Sequence, residues 1–477
     1  MSAAQPSPSS ARAVRDRCQR DPVWFVREIL GHEPWEKQVE IIESVRDYPR
    51  TAVRSCHGAG KSFIAADLVL WFLSSHADSR VLTTAPTFRQ VEKVLWPSIR
   101  KAYKKARYPL GGRLLSMEIR IDEGWFAFGF STDDPDAFQG HHADHILVIF
   151  DEASGIPPGI WTAADGVLSS EHARLLSIGN PTDPISKFAD EFTLPGTSKI
   201  AISAFDTPNL TAGKVIMPGL VTPAWVEDKR KRWGEQSPLW LARVLGQFPD
   251  ASPDTLIPLR WIEAAQEREL KPEGDNELGV DVARYGNDRS VIIHRRGSVA
   301  RTIARLEKQG TMETTGHVVL ALRKTKAVTA KVDVIGIGAG VVDRLIELHE
   351  PVESVNVGEK AFDEEKFSNR RAEVFWELRE RFERGDIDLD PADEDLAAQL
   401  AALKWKVDSA GRIKVESKDD MRKRLAAEGS DRNWQSPDDA DALALAFAER
   451  KQPRVGWGDI YGAPNGHANG EAHDVPA

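Results

Sequence analysis

The sequence predicts an α/β protein of two successive domains, each built around its own sheet. From 21 to 205, strand-like apolar runs alternate with helical segments, which is the pattern of a mostly parallel sheet with helices on both faces. From 275 to 450, hairpin-like runs come first, and a further strand and helices follow. The proline-containing stretch 206–274 is predicted to be a connecting subdomain, and 1–20 and 451–477 are predicted to be flexible tails.

Length and composition allow each domain a core of its own. The chain has 477 residues, of which 41% are hydrophobic and 29% charged, and its net charge is −10. This charge argues against a protein that coats nucleic acid with its whole surface, but it allows a local basic track. The sequence has no apolar run near the ~18 residues of a membrane span, no secretory signal pattern and only two cysteines. We therefore expect a cytoplasmic protein without disulfides.

Hydrophobic periodicity predicts the elements of both domains. In the first domain, strands are predicted at 51–54, 80–84, 146–150 and 174–178, a hairpin at 116–130, and helices at 61–75 and 88–105. In the second, strands are predicted at 278–281, 290–294, 300–305 and 332–337, and helices at 313–324 and 437–450. Hairpins followed by a strand and helices are typical of an RNase-H-like sheet. In the first domain the polar motifs follow strands, and parallel sheets bind ligands at those strand ends.

A glycine-rich turn opens the first of these helices. Residues 55–62 read S-C-H-G-A-G-K-S and come directly after a strand. Backbone N–H groups of such a turn bind phosphates, and the lysine offsets part of their charge. A capped helix after an ordinary turn is the plainer alternative. The order of strand, turn, Lys-Ser and helix favours a P-loop domain that binds ATP through Ser55, Gly58, Ala59, Gly60, Lys61 and Ser62.

Two carboxylates, Asp151 and Glu152, end the predicted strand H-I-L-V-I-F. Buried carboxylates are costly unless a cation or a basic group compensates them. We expect Asp151, together with Ser62, to hold a Mg²⁺ ion, and Glu152 to act as the general base toward water. Together with the glycine-rich turn, this pair predicts an ATPase.

Three weaker features lie near this predicted site. Gln38 precedes the glycine-rich turn and is a candidate for reading adenine, although a solvated helix glutamine is an equally good explanation. Residues 177–181, S-I-G-N-P, end a strand with small polar groups that could sense the γ-phosphate, and a simple turn explains them nearly as well. Arg54 and Arg89 are candidates for charge compensation, but the spacing selects neither.

A second set of acids belongs to the second domain. Asp281 and Asp333 lie in predicted strands, and the last predicted helix begins with Asp438, Asp439 and Asp441. Carboxylates from separate segments can hold two divalent ions, which activate water and stabilise the leaving oxygen of a phosphodiester. The plainer alternative is that acids at a helix start only favour the helix dipole. Acids in three segments favour a nuclease that uses Mg²⁺ or Mn²⁺.

Taken in order, the motifs resemble those of the terminase large subunits of tailed bacteriophages, from 35 to 449. The resemblance depends on S-C-H-G-A-G-K-S, T-A-P-T-F-R-Q-V, F-Q-G-H-H-A-D-H-I-L-V-I-F-D-E-A-S, S-I-G-N-P, G-V-D-V-A-R-Y-G-N-D and D-D-A-D-A-L-A-L-A. The last stretch also resembles the D-x-x-D-A-L-A pattern of Holliday-junction resolvases, which implies that Asp438 and Asp441, in preference to Asp439, bind metal. Some family members carry an arginine in the phosphate loop, where this chain has His57.

The resemblance implies a DNA-packaging motor in the cytoplasm of an infected bacterium. The first domain would hydrolyse ATP to move double-stranded DNA through the portal protein into a procapsid, and the second would cut concatemeric DNA. The implied partners are the small terminase subunit, the portal and further copies of the chain in a ring, with no membrane. A helicase-nuclease of repair or recombination is the nearest alternative, although the segment after Asn180 is short for a second motor lobe. An inactive DNA-binding assembly subunit is a third.

Overall fold

The computed structural model describes residues 8–130, 141–249, 254–283, 289–427 and 436–449. The strands are β1 Arg50–Ser55, β2 Arg80–Thr84, β3 Arg113–Leu114, β4 Glu118–Asp122, β5 Trp125–Gly129, β6 His145–Asp151, β7 His172–Gly179, β8 Thr197–Ile202, β9 Asn276–Asp281, β10 Arg289–Arg296, β11 Val299–Glu307, β12 Thr329–Asp333, β13 Val352–Val355, β14 Trp405–Val407 and β15 Ile413–Val415. The helices are α1 Pro8–Arg20, α2 Pro22–Trp24, α3 Glu36–Asp47, α4 Lys61–Ser75, α5 Phe88–Gln90, α6 Trp96–Lys105, α7 Pro158–Val167, α8 Lys187–Glu191, α9 Pro208–Thr211, α10 Pro223–Trp233, α11 Pro238–Arg243, α12 Leu259–Glu267, α13 Thr311–Thr325, α14 Gly338–Glu347, α15 Arg370–Arg384, α16 Glu394–Ala402, α17 Lys418–Ala427 and α18 Asp438–Phe447. None of the helices in the described ranges is long and apolar enough to span a membrane.

The first sheet has eight strands in the order β3-β4-β5-β2-β6-β7-β1-β8. The pairs from β5 onward in that order are parallel, and only the edge pairs β3–β4 and β4–β5 are antiparallel. Alternate residues of β6 enter two different cores, because Leu147 and Ile149 join the core that contains α4 and Val148 joins the one that contains α7. The predicted parallel sheet with helices on both faces is therefore confirmed.

The second sheet has five strands in the order β11-β10-β9-β12-β13. Strands β9, β10 and β11 pair antiparallel, whereas β12 runs parallel to both β9 and β13. Helix α18 packs against β9 and β10, and α13 and α14 share the core on the other face. Three antiparallel strands continued by two parallel ones form an RNase-H-like sheet. The predicted fold class is thus confirmed for the second sheet as well.

The stretch predicted to connect the domains, 206–274, forms α9, α10, α11 and α12 in its described part. Trp233 and Trp240 of this stretch are buried. Helix α16, from beyond the second sheet, packs against α10, α11 and α12, and Lys229 forms an ion pair with Glu394 at its start. The domain boundaries stay a prediction, but 206–274 is a packed helical unit that contacts both neighbouring parts of the chain.

The predicted N-terminal tail is too long. Residues of the stretch 1–20 form a helix, α1, from Pro8 onward. The C-terminal end of α1 packs against α4: Cys18 is buried, and the carbonyl oxygen of Cys18 accepts a hydrogen bond from Trp71 Nε1 (2.8 Å). Residues 1–7 and the predicted tail at 451–477 lie outside the described residues.

Three predicted elements of the chain end or break earlier than expected. The strand predicted at 332–337 ends at Asp333, because Gly336 has a left-handed φ of 71° that a strand does not adopt. The helix predicted at 88–105 is interrupted by a π-helical segment, Val91–Leu95. The helix predicted at 437–450 ends at Phe447.

Three histidine rings lie next to one another at one edge of the first sheet: His145 and His172 begin β6 and β7, and His76 follows the last residue of α4. The ring centroids of His76 and His145 are 4.8 Å apart, and those of His145 and His172 are 4.7 Å apart. Burial and, less strongly, the neighbouring His145 and Arg174 lower the pKa of His76 to about 4. The folded chain therefore resists protonation of this imidazole.

We expect a His76→Gln variant to lose less thermal stability than the wild type when the pH falls from about 7 to about 4.5. A folded pKa below the unfolded value stabilises the fold fully above the unfolded pKa, and that contribution is lost as the pH falls toward the folded pKa. A shift of this size corresponds to roughly 3 kcal/mol. The test is to measure the melting temperatures of the wild type and the His76→Gln variant at the two pH values. The variant His142→Gln, at an exposed position, is the control. Equal losses in all three proteins would contradict the assignment.

Candidate active sites

The glycine-rich turn joins β1 to α4. Gly58 and Gly60 have left-handed φ values of 67° and 84°. A side chain at Gly60 would meet the amide nitrogen of Gln38 at 2.6 Å, so glycine is required there. Helix α4 begins at Lys61, and its first N–H groups have no partner within the helix. The turn at 58–60 thus leads directly into the first helical residues, 61 and 62, and a helix N-terminus of this kind is a geometry in which anions bind.

Lys61 lies at the centre of the polar contacts of this loop. Its Nζ is 3.2 Å from Asn180 Oδ1, 3.3 Å from the carbonyl oxygen of Cys56 and 3.7 Å from Glu152 Oε1. Asn180 also donates from Nδ2 to the carbonyl oxygen of Ser55 (2.6 Å) and from its backbone nitrogen to Glu152 Oε2 (3.3 Å). The segment S-I-G-N-P therefore does more than turn the chain, because Asn180 links the loop to the acidic strand end.

The two acids at the end of β6 lie next to the start of α4. Ser62 Oγ donates to Asp151 Oδ2 (2.9 Å), and the backbone nitrogen of Glu152 donates to Asp151 Oδ1 (3.1 Å). Burial and the adjacent Glu152 raise the pKa of Asp151 to about 6. A carboxylate destabilised in this way gains from a bound cation, and the hydroxyl and carboxylate oxygens are donors that Mg²⁺ prefers. Ser62 and Asp151 therefore fit the predicted ion.

Trp35 and Gln38 support the loop through its backbone. Trp35 Nε1 donates to the carbonyl oxygen of Ala59 and Gln38 Nε2 to that of Gly60, both at 3.3 Å. Gln38 is buried, and its Oε1 accepts from the backbone nitrogen of Trp35 (3.3 Å). These bonds give Gln38 a structural task, and its contact with adenine stays a prediction. Ser55 is the last residue of β1, and its buried Oγ donates to the next carbonyl oxygen (3.0 Å) instead of facing the loop.

The connecting helices cover the loop from another side. The backbone nitrogen of Val221 donates to the carbonyl oxygen of Gly58, and that of His57 to the carbonyl oxygen of Arg243, both at 2.8 Å. Burial, followed by the charges of Arg243 and of nearby lysines, lowers the pKa of His57 well below its usual value. His57 is therefore neutral near pH 7 and does not replace the charge of a phosphate-loop arginine.

A cavity of about 530 Å³ adjoins Glu152 and extends between the first sheet, α11, α12 and the start of α16. Neither arginine suggested by the sequence lines it: Arg54 stacks on an aromatic ring, and the exposed Arg89 pairs with a glutamate. Its arginines are Arg243, Arg260 and Arg268, all from the stretch 206–274. Positive charge beside this site thus comes from the connecting helices.

The acids predicted for the second site surround one lysine. Lys418 Nζ lies 3.0 Å from Asp281 Oδ2, 3.3 Å from Asp438 Oδ1 and 2.9 Å from Asp441 Oδ2. All three aspartates are buried. Burial opposes the charge of Lys418, but the three carboxylates raise its pKa well above its usual value. The structure thus brings together three of the four acids predicted for this site.

Close packing of α18 on β9 places these acids together. A side chain at Gly279 would meet the carbonyl oxygen of Ala442 at 2.1 Å, so the helix lies directly on the strand. The alternating alanines of α18, D-D-A-D-A-L-A-L-A-F, suit this short distance. Asp281, two residues after Gly279, then lies beside Asp438 and Asp441 at the start of the helix.

Asp439 is bound elsewhere. Its Oδ1 pairs with Arg305 Nε, and its Oδ2 accepts from Gln399 Nε2 (2.7 Å). The backbone nitrogen of Asp439 donates in return to Gln399 Oε1 (2.8 Å). Both carboxylate oxygens of Asp439 are thus bonded to other side chains of the protein. This agrees with the preference for Asp438 and Asp441 as metal ligands.

Asp333 lies at the end of β12, the strand next to β9. Its Oδ1 accepts from the backbone nitrogen of Ile335 (3.0 Å), and burial raises its pKa. Among the described residues, no three His, Cys, Asp or Glu side chains converge closely enough to hold an ion as they stand. The ammonium group of Lys418 lies between the acids instead. Their oxygens are the donors that Mg²⁺ and Mn²⁺ bind, so the set fits such ions once Lys418 withdraws.

Sequence reasoning missed three basic residues of these sites: Arg243, Arg371 and Lys418. Arg371 Nη1 pairs with Asp441 Oδ1 (2.5 Å), and Lys418 binds three acids. Arg371 and Lys418 belong to segments rich in charges that have the composition of a solvated helix, whereas Arg243 is the last residue of the apolar helix α11. The one available signal was the prediction of several buried acids at one place, because such acids require basic partners.

A glycine-rich loop at a helix N-terminus on one sheet and clustered acids on an RNase-H-like sheet are the features of a P-loop α/β protein with a second, acidic domain. The sequence matches no protein-family model. It is 27% identical over 465 residues to the "Probable terminase, large subunit" of Enterobacteria phage P7, covering 89% of this chain and 90% of that protein. The chain is thus similar to a terminase large subunit along most of its length, and the resemblance noted in its motifs is confirmed.

Two solved structures are also similar to this chain. One is the large terminase of a thermophilic bacteriophage, which is 13% identical, with 87% of this chain and 98% of that chain covered and a TM-score of 0.43. The other is the nuclease domain of the large terminase subunit of bacterial virus Sf6, which is 21% identical, with 41% of this chain and 99% of that chain covered and a TM-score of 0.37.

Proposed function

We propose that the chain is the large subunit of a viral DNA-packaging motor, which moves double-stranded DNA into a procapsid by ATP hydrolysis and cuts concatemeric DNA. The observation that carries this proposal is that one chain holds two separate clusters, a glycine-rich loop beside two acids and a set of buried acids, on two different sheets. The alignment with a terminase large subunit along most of the chain supports their combination in a packaging enzyme. The proposed partners are the portal protein, the small terminase subunit and further copies of the chain in a ring, in the host cytoplasm.

In the first site, the phosphates of ATP would lie along the N–H groups of residues 58–62. A Mg²⁺ ion bound by Ser62 and Asp151 would offset the charge of the β- and γ-phosphates. Lys61, which contacts Asn180 in the structure, would turn to the phosphates. Glu152 would take a proton from the attacking water, whose oxygen bonds to the γ-phosphorus while the bond from that phosphorus to ADP breaks.

In the second site, Asp281, Asp438 and Asp441 would exchange Lys418 for divalent ions, with Asp333 as a further ligand. Such ions would activate water and stabilise the leaving oxygen of the phosphodiester. Until they bind, Lys418 lies within 3.3 Å of all three acids and offsets part of the repulsion between them, because buried acids of like charge otherwise repel one another. The acids are thus held ready in a compact arrangement.

A helicase-nuclease explains the chain less well. Such an enzyme generally uses a second motor lobe, which would need a sheet of its own. In the described residues between β8 and β9, the chain forms helices, and no sheet lies there. The connecting stretch therefore covers the phosphate loop as a small helical unit, in place of a second lobe.

We expect the chain, mixed with its small subunit and with procapsids of the same virus, to protect DNA from added nuclease when ATP is present. The protected length, measured on a gel after the nuclease is inactivated, should grow with time because translocation is progressive. Reactions without procapsids, or with a non-hydrolysable ATP analogue, serve as controls. ATP-dependent separation of DNA strands without protection would favour the helicase, and protection that is independent of ATP would contradict the motor.

A further inference from the structure

Arg371, the second residue of α15, lies beside the acids of the second site. Its Nη1 pairs with Asp441 Oδ1 at 2.5 Å. On its other side, Nε donates to the carbonyl oxygen of Glu416 (3.3 Å), and the guanidinium carbon lies 4.6 Å from the ring centroid of Phe375. The backbone nitrogen of Arg371 donates to the carbonyl oxygen of Val357 (2.8 Å). These contacts fix both the position and the plane of the guanidinium group.

One donor of this guanidinium is left over. Nη2 of Arg371 is buried and has no hydrogen-bond partner among the described residues. Buried donors without a partner are rare, because they lose their hydrogen bonds to water without replacing them. Arg371, Asp333 and Asp441 also line one small cavity of about 10 Å³, which is room for about one water-sized group. The free donor thus belongs to a residue that borders two of the acids proposed to bind metal.

We propose that Arg371 binds the phosphate that is cut, with Nη2 donating to a non-bridging oxygen while Nη1 keeps Asp441 in place. The inference rests on the proposed nuclease function. The two terminal nitrogens of a guanidinium present N–H groups that suit two oxygen acceptors, and of these two nitrogens only Nη1 has an acceptor here. A donor fixed in advance stabilises the negative charge that develops on the phosphate during cleavage.

Arg371 differs in this respect from Lys418. Lys418 lies among three carboxylates and must leave them before ions can bind. Arg371 pairs with one acid, Asp441, and is held from behind by a carbonyl oxygen and an aromatic ring. It can therefore stay in place while the ions and the DNA bind.

The decisive variant is Arg371→Lys, which keeps the positive charge but removes the second terminal nitrogen. We expect the rate of plasmid cutting at saturating Mn²⁺ to fall about 100-fold, the typical effect of losing one such donor. The affinity for Mn²⁺, measured by titration calorimetry, should stay within about threefold of the wild type because the charge is retained. ATP turnover should not change. Arg384→Lys, at an exposed position of the same helix, is the matched control and should cut like the wild type.

Arg371→Met separates phosphate binding from competition with the metal. If Arg371 only occupies a metal position, this variant will bind Mn²⁺ more tightly and cut at least as fast as the wild type, which would overturn the proposal. Normal cutting by Arg371→Lys, or recovery of its rate at higher Mn²⁺, would overturn it too. Should the methionine variant also lose ATP turnover through misfolding, the lysine variant decides. A wild-type protein that cuts no faster than Asp281→Asn would instead refute the nuclease function itself, and with it the role of Arg371.

Discussion

A Glu152→Gln variant is expected to hydrolyse ATP at least about a hundredfold more slowly than the wild type, because positioned general bases contribute factors of this size or more. The amide has nearly the shape of the carboxylate, and its oxygen can still accept the hydrogen bond from the backbone of Asn180. It cannot take up the proton of the attacking water. Release of inorganic phosphate at saturating ATP, in the presence of DNA, measures the effect.

The same variant should still bind nucleotide and cut plasmid DNA. Lys61 Nζ lies 3.7 Å from Glu152 Oε1, so removal of this charge leaves the lysine free to interact with phosphate. Cutting should continue because the acids around Lys418 belong to the other sheet. Glu171→Gln, an exposed position just before β7, provides a matched control with normal turnover. ATP turnover within about threefold of the wild type would remove Glu152 from the role of general base.

Much of the first site could be predicted because its parts are close in sequence or follow from strand order. Gly58 and Gly60 adopt conformations that favour glycine, and Lys61 starts a helix directly after them. Asp151 follows an apolar run, and parallel strands bring the ends of β1 and β6 to the same edge of the sheet. Local chemistry and sheet topology therefore sufficed to place the loop and the acid together.

The basic residues could not be predicted in the same way. Lys418 contacts an aspartate 137 positions before it in the chain, and Arg371 one that is 70 positions after it. The spacing of residues along the sequence does not reveal such ion pairs, because they depend on how α15 and α17 pack around α18. Asn180 was within a suggested motif, but its bonds to both Ser55 and Glu152 became visible only in the folded chain.

The packing of residues 206–274 against both halves of the chain could not be predicted from the sequence pattern either. Prolines and scattered tryptophans indicated a connection, whereas Trp233 and Trp240 are buried and the helices contact the phosphate loop. The same helices pack against α16, whose Gln399 binds Asp439 next to the second cluster of acids. Contacts therefore run without a break from the first site to the second through α10, α11 and α16. The two proposed activities, movement of DNA and cutting of DNA, would thus belong to halves of the chain that contact one shared helical unit.

An Asp281→Asn variant is expected to cut DNA at least about a thousandfold more slowly than the wild type, because ion-assisted cleavage loses several kcal/mol when a shared ligand is weakened. Asp281 is the acid of the central strand β9 and accepts from Lys418 with both oxygens, at 3.2 and 3.0 Å. An amide of the same size keeps the packing of this strand but binds divalent ions poorly. Conversion of supercoiled plasmid in Mg²⁺ and in Mn²⁺ measures the loss.

ATP turnover in the Asp281→Asn variant should equal that of the wild type, because Lys61, Asp151 and Glu152 lie at the edge of the first sheet and Asp281 lies in the second. Asp343→Asn, an exposed position on α14, tests whether any neutralised acid of the second domain has the same effect. Asp439→Asn tests whether the location of the acid on α18 matters, because the Asp439 side chain contacts Arg305 and Gln399 and not Lys418. That variant should cut DNA at any temperature at which it retains ATP turnover. Normal cutting by Asp281→Asn, with Asp439→Asn inactive as a nuclease but active as an ATPase, would move the metal site from one face of α18 to the other.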